Sequence, residues 1–394
     1  MKKNWVKLVI LNNLKDIIRV FGNIFLSIYF FNATEGNLAE VLKYWLVYSA
    51  SNLIYRYVIC KFLNTNNIIK LYRLSLFANL ITVSILLVLR ENIVNYIYVF
   101  ALLQSFAISL YYATYENITC NINNNNDYKK YFSIDSLLAN LISIIAPLCL
   151  GILIETYSYI VAFAVLFIIT MICFIYSLFL NNEKVECEKI QVLKYFKSIK
   201  NKEIFTKTLI QNFFDAFNTW GPVGVLTTVV IYSQISNEGI VGGINSISNI
   251  IGVLFSILCI KIINKKNFGK LVIPTTIIIF LLTIPISIKF SVVLVCMYII
   301  LNQIGVIITD INGNSLTYEL KNQIVDEKYQ NTYLWNIQVV FDIGRIVGYA
   351  LVLLVATYWY DYLKYLFIIF SLGFIIRSVV INNLMKFSGN EKVV

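Results

Sequence analysis

The chain has 394 residues, 59% of them hydrophobic and only 13% charged, and a net charge of +11. Soluble domains carry roughly 25% charged residues, so this composition excludes a water-soluble globular protein and points to a membrane protein throughout. The positive charge does not require nucleic acid, because Lys and Arg collect on the cytoplasmic side of membrane proteins: here they recur in alternate segments (Lys61, Lys70, Arg73, Lys129, Lys130, Lys265, Lys266), with only Arg90, Lys289 and Lys364 in the opposite loops.

A helix needs about 20 apolar residues to cross a bilayer. Six such runs precede residue 181, near 8–31, 39–60, 70–89, 95–117, 134–154 and 159–180. The first follows Met1-Lys2-Lys3 but is interrupted by Asn12, Asn13, Lys15, Asp16 and Arg19, so it reads as a retained span and not a cleaved leader. The Asn121–Asn126 run reads as a solvated loop. The longest charged interval, Asn181 to Glu203, reads as a cytoplasmic linker between an N-terminal bundle, 1–180, and a C-terminal bundle, 204–394. Six more runs follow, near 204–233, 239–261, 270–288, 291–317, 332–356 and 362–385, and then a short basic tail. An even number of spans places both termini on the cytoplasmic side of the cell membrane. The seven cysteines are scattered without metal-binding spacing, and histidine is absent.

The two halves repeat. Asp16 followed by Gly22 matches Asp215 followed by Gly221, and Tyr115-Glu116 matches Tyr318-Glu319. Thr156-Tyr157-x-Tyr159 with Leu166-Phe167-Ile168-Ile169 matches Thr357-Tyr358-x-Tyr360 with Leu366-Phe367-Ile368-Ile369. The order is conserved between the halves, as a parallel duplication of six helices requires. That organisation resembles the major facilitator superfamily (MFS) over essentially the full length, which implies an all-α fold of 12 transmembrane helices in two six-helix bundles, with substrate bound near the midplane between them. The family's Gly-x-x-x-Asp-Arg-x-Gly-Arg-type loop is degenerate here: Cys60 to Lys70 keeps basic charge without the glycines or the acid, and Asn264 to Lys270 is degenerate too. In the fifth span Ala146, Pro147 and Gly151 preserve part of a signature found in exporters of the family; a helix kink and close packing explain the same residues.

Ionisable groups inside a membrane helix cost roughly 2.5–3.5 kcal/mol at the centre on insertion scales and therefore face a partner or water. The resemblance implies that helices one, four, seven and ten line the cavity, which selects Asp16, Arg19, Glu116, Asp215, Asp310 and Glu319. Asp16 and Arg19, and Asp342 and Arg345, are spaced to share a helix face. Asp215, within Phe213-Phe214-Asp215-Ala216-Phe217, is the leading proton carrier, since a carboxyl among aromatic rings is costly to ionise; Arg19 or Arg345 is the expected competitor, and a static salt bridge is the alternative. Asp310 reads as a solvated helix end or, less favoured, as part of the pathway. Gln104, Ser105, Ser109, Tyr111, Tyr112, Asn302 and Gln303 supply neutral polar groups for substrate or for interhelical bonding. Gly239, Gly242, Gly243 and Ser246 read as close-packing positions.

No nucleotide-binding Gly-x-x-x-x-Gly-Lys-Ser/Thr loop is present, and no clustered nucleophile, base or metal set suggests an enzyme. The expectation is a monomeric secondary transporter, without cofactor, that couples ion movement, with the proton as the favoured ion, to efflux of a small or amphipathic molecule across the lipid bilayer. A lipid or peptide translocator, or a non-transporting receptor on the same fold, is the alternative.

Overall fold

In the computed structural model the described residues are 4–63, 67–120, 125–180, 192–218, 221–262 and 268–388. Among them the backbone is helical with no strand. Six long helices come first: α1 (Asn4–Ala33), α2 (Leu38–Phe62), α3 (Ile68–Leu89), α4 (Ile97–Cys120), α5 (Asn125–Thr156) and α6 (Tyr159–Ser177). A short α7 (Val192–Lys197) leads to α8 (Lys202–Asn218) and α9 (Pro222–Ile235). Then come α10 (Glu238–Ile262), α11 (Phe268–Ile288), α12 (Val292–Glu319), the single turn α13 (Lys321–Ile324), α14 (Gln330–Tyr358) and α15 (Leu363–Ser388).

The seventh span, expected as one helix near 204–233, is two. Gly221 has φ +125°, a conformation in which a side chain would be strained, and Pro222 opens α9. Proline has no N–H to give to a preceding carbonyl, so it starts a helix well and continues one badly. Nearly half of the expected linker, 181–191, lies outside the described residues, as do Met1 to Lys3, Asn121 to Asn124, residues 64–66 and 263–267 of the two degenerate loops, and the end of the basic tail.

Eight stretches among the described helices are long and apolar enough to cross a membrane. They do not include α1 and α2, which are broken by charges, nor α8 and α9, which are 17 and 14 residues long. Burial is inverted relative to a soluble protein. Large apolar side chains such as Val88, Ile145, Ile168, Leu254 and Val293 point outwards, while Asn13, Lys15, Asp16, Asp215, Asp342 and Arg377 are buried. This is the arrangement that lipid as a solvent favours.

The chain divides into two compact units, one comprising Met1–Lys189 with Ile235–Ser246 and the other Ile190–Gln234 with Ile247–Val394. Within the first, α1 packs on α5 and α6, and α3 on α4 and α6. Within the second, α8 packs on α14 and α15, and α11 on α12 and α15. These four contacts correspond pair by pair, so the repeat seen in sequence is in this part also a repeat of packing.

Close approach of α5 and the start of α10 holds the 235–246 segment in the first unit. A Cβ at Gly151 would stand 2.6 Å from the Glu238 carbonyl oxygen, and one at Gly242 would collide with the Pro147 carbonyl, whereas Gly243 meets nothing within 4 Å. Gly151, Gly239 and Gly242 are therefore close-packing positions, and Gly243 is not. In the second unit α7 inserts Tyr195, fully buried, among Phe205, Ile324 and Tyr333. The Lys200 amide bonds the Ile324 carbonyl at 2.9 Å, and the Lys200 ammonium, 2.9 Å from Asp326, holds that carboxyl below the usual carboxylate range.

Candidate functional site

Each unit carries one buried polar centre built on its first long helix, α1 or α8. The two helices share a local pattern that the sequence reading passed over: Asn12-Asn13-x-x-Asp16 and Gln211-Asn212-x-x-Asp215, at the same separation as the Asp-to-Gly match. Asn13 and Asn212 also do the same thing. Each donates its side-chain amide to the carbonyl four residues earlier, Val9 or Thr208, at 2.8 Å. A polar side chain that bonds its own helix leaves less of its polarity to be met by neighbours, which lowers the cost of burying it.

In the second unit Asp215 is 2% exposed, on a turn of α8 flanked by the rings of Phe213, Phe214 and Phe217. Its partner is Arg377 of α15, fully buried, whose Nη2 lies 2.9 Å from Asp215 Oδ2 and 2.8 Å from Asp310 Oδ1 of α12. Nη1 of the same guanidinium donates to the Thr309 hydroxyl at 2.9 Å. One cation thus holds two carboxylates from two helices. Around it, Gln211 donates to the Thr317 hydroxyl at 3.1 Å, and the Tyr333 hydroxyl donates to the Thr317 carbonyl at 3.0 Å.

This geometry corrects two expectations. The group that meets Asp215 is Arg377; Arg345 instead lies one turn from Asp342 on α14, at 3.9 Å and over the Phe341 ring, and Arg19 pairs with Asp16. Asp310 is held in the ion cluster and is not a solvated helix end. Arg377 was visible in the sequence only as a basic residue near the end of the last span. Its pairing depends on how α15 leans on α8, which no local pattern encodes.

In the first unit Asp16 and Arg19 form the expected one-turn pair, at 3.1 Å. Asp135 of α5, which the sequence reading did not single out, is the second acid of this centre. It accepts from the Asn12 amide at 3.0 Å on both oxygens and from Asn13 at 3.0 Å. Asn12 in turn accepts from the Tyr111 hydroxyl at 2.8 Å, and the Tyr115 and Tyr131 hydroxyls bond each other beside it. Lys15 is buried against the face of Tyr111, its Nζ 2.8 Å from the ring centroid.

The remaining candidates are not gathered into either centre. Gln104 accepts from the Tyr44 hydroxyl of α2, and Ser109 bonds Asn52, so these α4 groups tie α4 to α2. On α12, Gln303 reaches Asn249 at 3.4 Å, while Asn302 is half-buried. Among the described residues no three His, Cys, Asp or Glu side chains come together as a metal site.

A family profile described as Major Facilitator Superfamily matches residues 33–349. The chain belongs to this superfamily. No curated protein matches it. Solved MFS-like structures are similar over nearly the whole chain at low identity. A bacterial homologue of the iron transporter ferroportin in an inward-facing state has a TM-score of 0.73 at 10% identity, covering 99% of this chain and 100% of that one. The nucleoside transporter NupG has a TM-score of 0.68 at 14% identity, with 98% and 100% covered. A bacterial metal transporter has a TM-score of 0.65 at 10% identity, with 99% of each chain covered. At such identities the likeness establishes the fold: this MFS chain is a multi-pass, all-α membrane protein of a transporter family.

Proposed function

We propose that the chain is a proton-coupled secondary transporter that exports a small or amphipathic molecule by alternating access, with the Asp215–Arg377–Asp310 cluster as its proton site. The observation that carries this reading is the charge count of that cluster. Two buried carboxylates share one guanidinium, so these three groups, when all ionised, hold one excess negative charge in a low-dielectric interior. Burying an unpaired charge costs several kcal/mol, and one bound proton removes it. Moving α15 relative to α8 or α12 changes which carboxylate Arg377 serves, and so decides whether that proton stays. A charge crossing a membrane potential of about 100 mV gains about 2.3 kcal/mol, enough to drive a gradient of roughly fortyfold.

The protein would act as a monomer in the cell membrane, both termini on the cytoplasmic side, without cofactor and without nucleic acid. The metal cargo named for two of the similar structures is theirs and does not enter this reading.

Proteoliposomes with an imposed pH gradient test it. A panel of amphipathic compounds is added to vesicles holding native protein, Asp215→Asn or Asp310→Asn, each first shown to be folded. At least one compound should dissipate the gradient with native protein and fail to do so with Asp215→Asn. Gradient-driven transport at the native rate in both variants would sink the assignment of the proton site.

A further inference from the structure

We infer that the first unit holds a subsite for an organic anion, a carboxylate carried on an aromatic or other apolar body, formed by Lys15 and Arg19 of α1 with the rings of Tyr111 and Tyr112 of α4. The inference rests on the transporter reading above and names the chemical class of its cargo.

Lys15 and Arg19 stand four residues apart, one above the other on α1, where two like charges repel. Lys15 is only 5% exposed, and among the described residues its Nζ finds no hydrogen-bond acceptor. What it has is aromatic: the Tyr111 centroid at 2.8 Å and the Tyr112 centroid at 5.3 Å. A desolvated cation on a ring face recovers only part of what is lost in burying an ion. The nearby acids are already engaged. Asp16 sits 3.1 Å from Arg19, and Asp135 is occupied by the amides of Asn12 and Asn13. The ammonium of Lys15 is therefore the positive charge of this centre that lacks an oxygen partner.

Arg19 supplies access. Although it lies within a membrane helix beside Tyr112, 45% of its side chain is exposed, and an arginine in such a helix faces a partner or a water-filled cavity. Its planar fork accommodates a carboxylate bidentately while Asp16 holds one edge. A carboxylate drawn in past Arg19 completes the hydrogen bonding of the ammonium, and the half-buried ring of Tyr112, not the fully buried Tyr111, receives the apolar body. The cluster around Arg377 holds two acids to one base, whereas the first unit's centre holds two of each, with the acids engaged by Arg19 and by the amides of Asn12 and Asn13 and the Lys15 ammonium left over.

Dansylglycine and dansylcadaverine carry one fluorophore with terminal charges of opposite sign. Each is titrated into the purified full chain in lipid nanodiscs and followed by fluorescence anisotropy, for native protein, Lys15→Gln and Lys15→Arg. Native protein should bind dansylglycine at least about tenfold more tightly than dansylcadaverine, Lys15→Gln should lose that preference, and Lys15→Arg should keep most of it. Native protein that prefers the cation, that does not discriminate, or that binds neither probe overturns the subsite, as does a folded Lys15→Gln with the native preference. The titration needs no proton gradient, so failure of proton coupling in the vesicle assay leaves its result intact. A preference for the cation, conversely, removes the anion subsite and leaves proton-coupled transport standing.

Discussion

Replacing Arg377 with methionine isolates the energetics of the buried cluster. The substitution keeps an apolar stem of similar length and removes a cation that serves both Asp215, at 2.9 Å, and Asp310, at 2.8 Å. With charge centres about 4 Å apart and an effective dielectric near 20, each pair attracts by about 4 kcal/mol. Much of that is offset in the native protein by desolvation of a side chain with no exposed surface. Removing the cation alone does not recover that penalty; it leaves the two carboxylates without the guanidinium that bridges them. The expected loss is about 3–5 kcal/mol, read as a large drop in the thermal unfolding midpoint of the detergent-purified protein. The triple variant Arg377→Met/Asp215→Asn/Asp310→Asn removes all three charges and should recover most of the loss, because neutral amides can bond each other and Thr309. Arg377→Met unfolding at the native midpoint, or a triple variant no more stable than the single one, would refute the account of a charge-balanced cluster.

The packing of α5 against the start of α10 makes a paired prediction. Gly242→Ala drives a Cβ into the Pro147 backbone oxygen and should cost about 1–3 kcal/mol, while Gly243→Ala, with nothing within 4 Å, should be neutral or slightly stabilising through helix propensity. Equal midpoints for the two variants would contradict the close approach. Near α13, Asp326 has its carboxyl depressed by Lys200, so its contribution is present at neutral pH and is lost as pH falls below roughly 4 through its lowered range. The stability difference between native protein and Asp326→Asn should therefore be small, favour native at pH 7 and vanish in acid; a difference that grows on acidification contradicts the pairing.

The expectations that survived and those that failed divide by the range of the interaction. Hydropathy marked the long helices because apolar length is a property of one segment. The repeat was legible because duplication leaves paired residues such as Asp16 and Asp215, and the structure extends it to Asn13 and Asn212, which bond their own helices alike. The break before α9 was written in Gly221-Pro222 but was overridden by the apolar run around it. Pairs one turn apart, Asp16 with Arg19 and Asp342 with Arg345, followed from helix geometry alone.

The partners across helices did not. Arg377 reaches Asp215 and Asp310 only because α15 packs on both α8 and α12, and Asp135 enters the first centre only because α5 packs on α1. By itself the sequence determined a duplicated, all-helical membrane chain and which segments carry its buried charges, since these depend on composition and period along the backbone. Which of those charges neutralise one another was decided by tertiary structure, because an ion pair depends on where two helices touch, and their contact is set by the packing of many side chains at once.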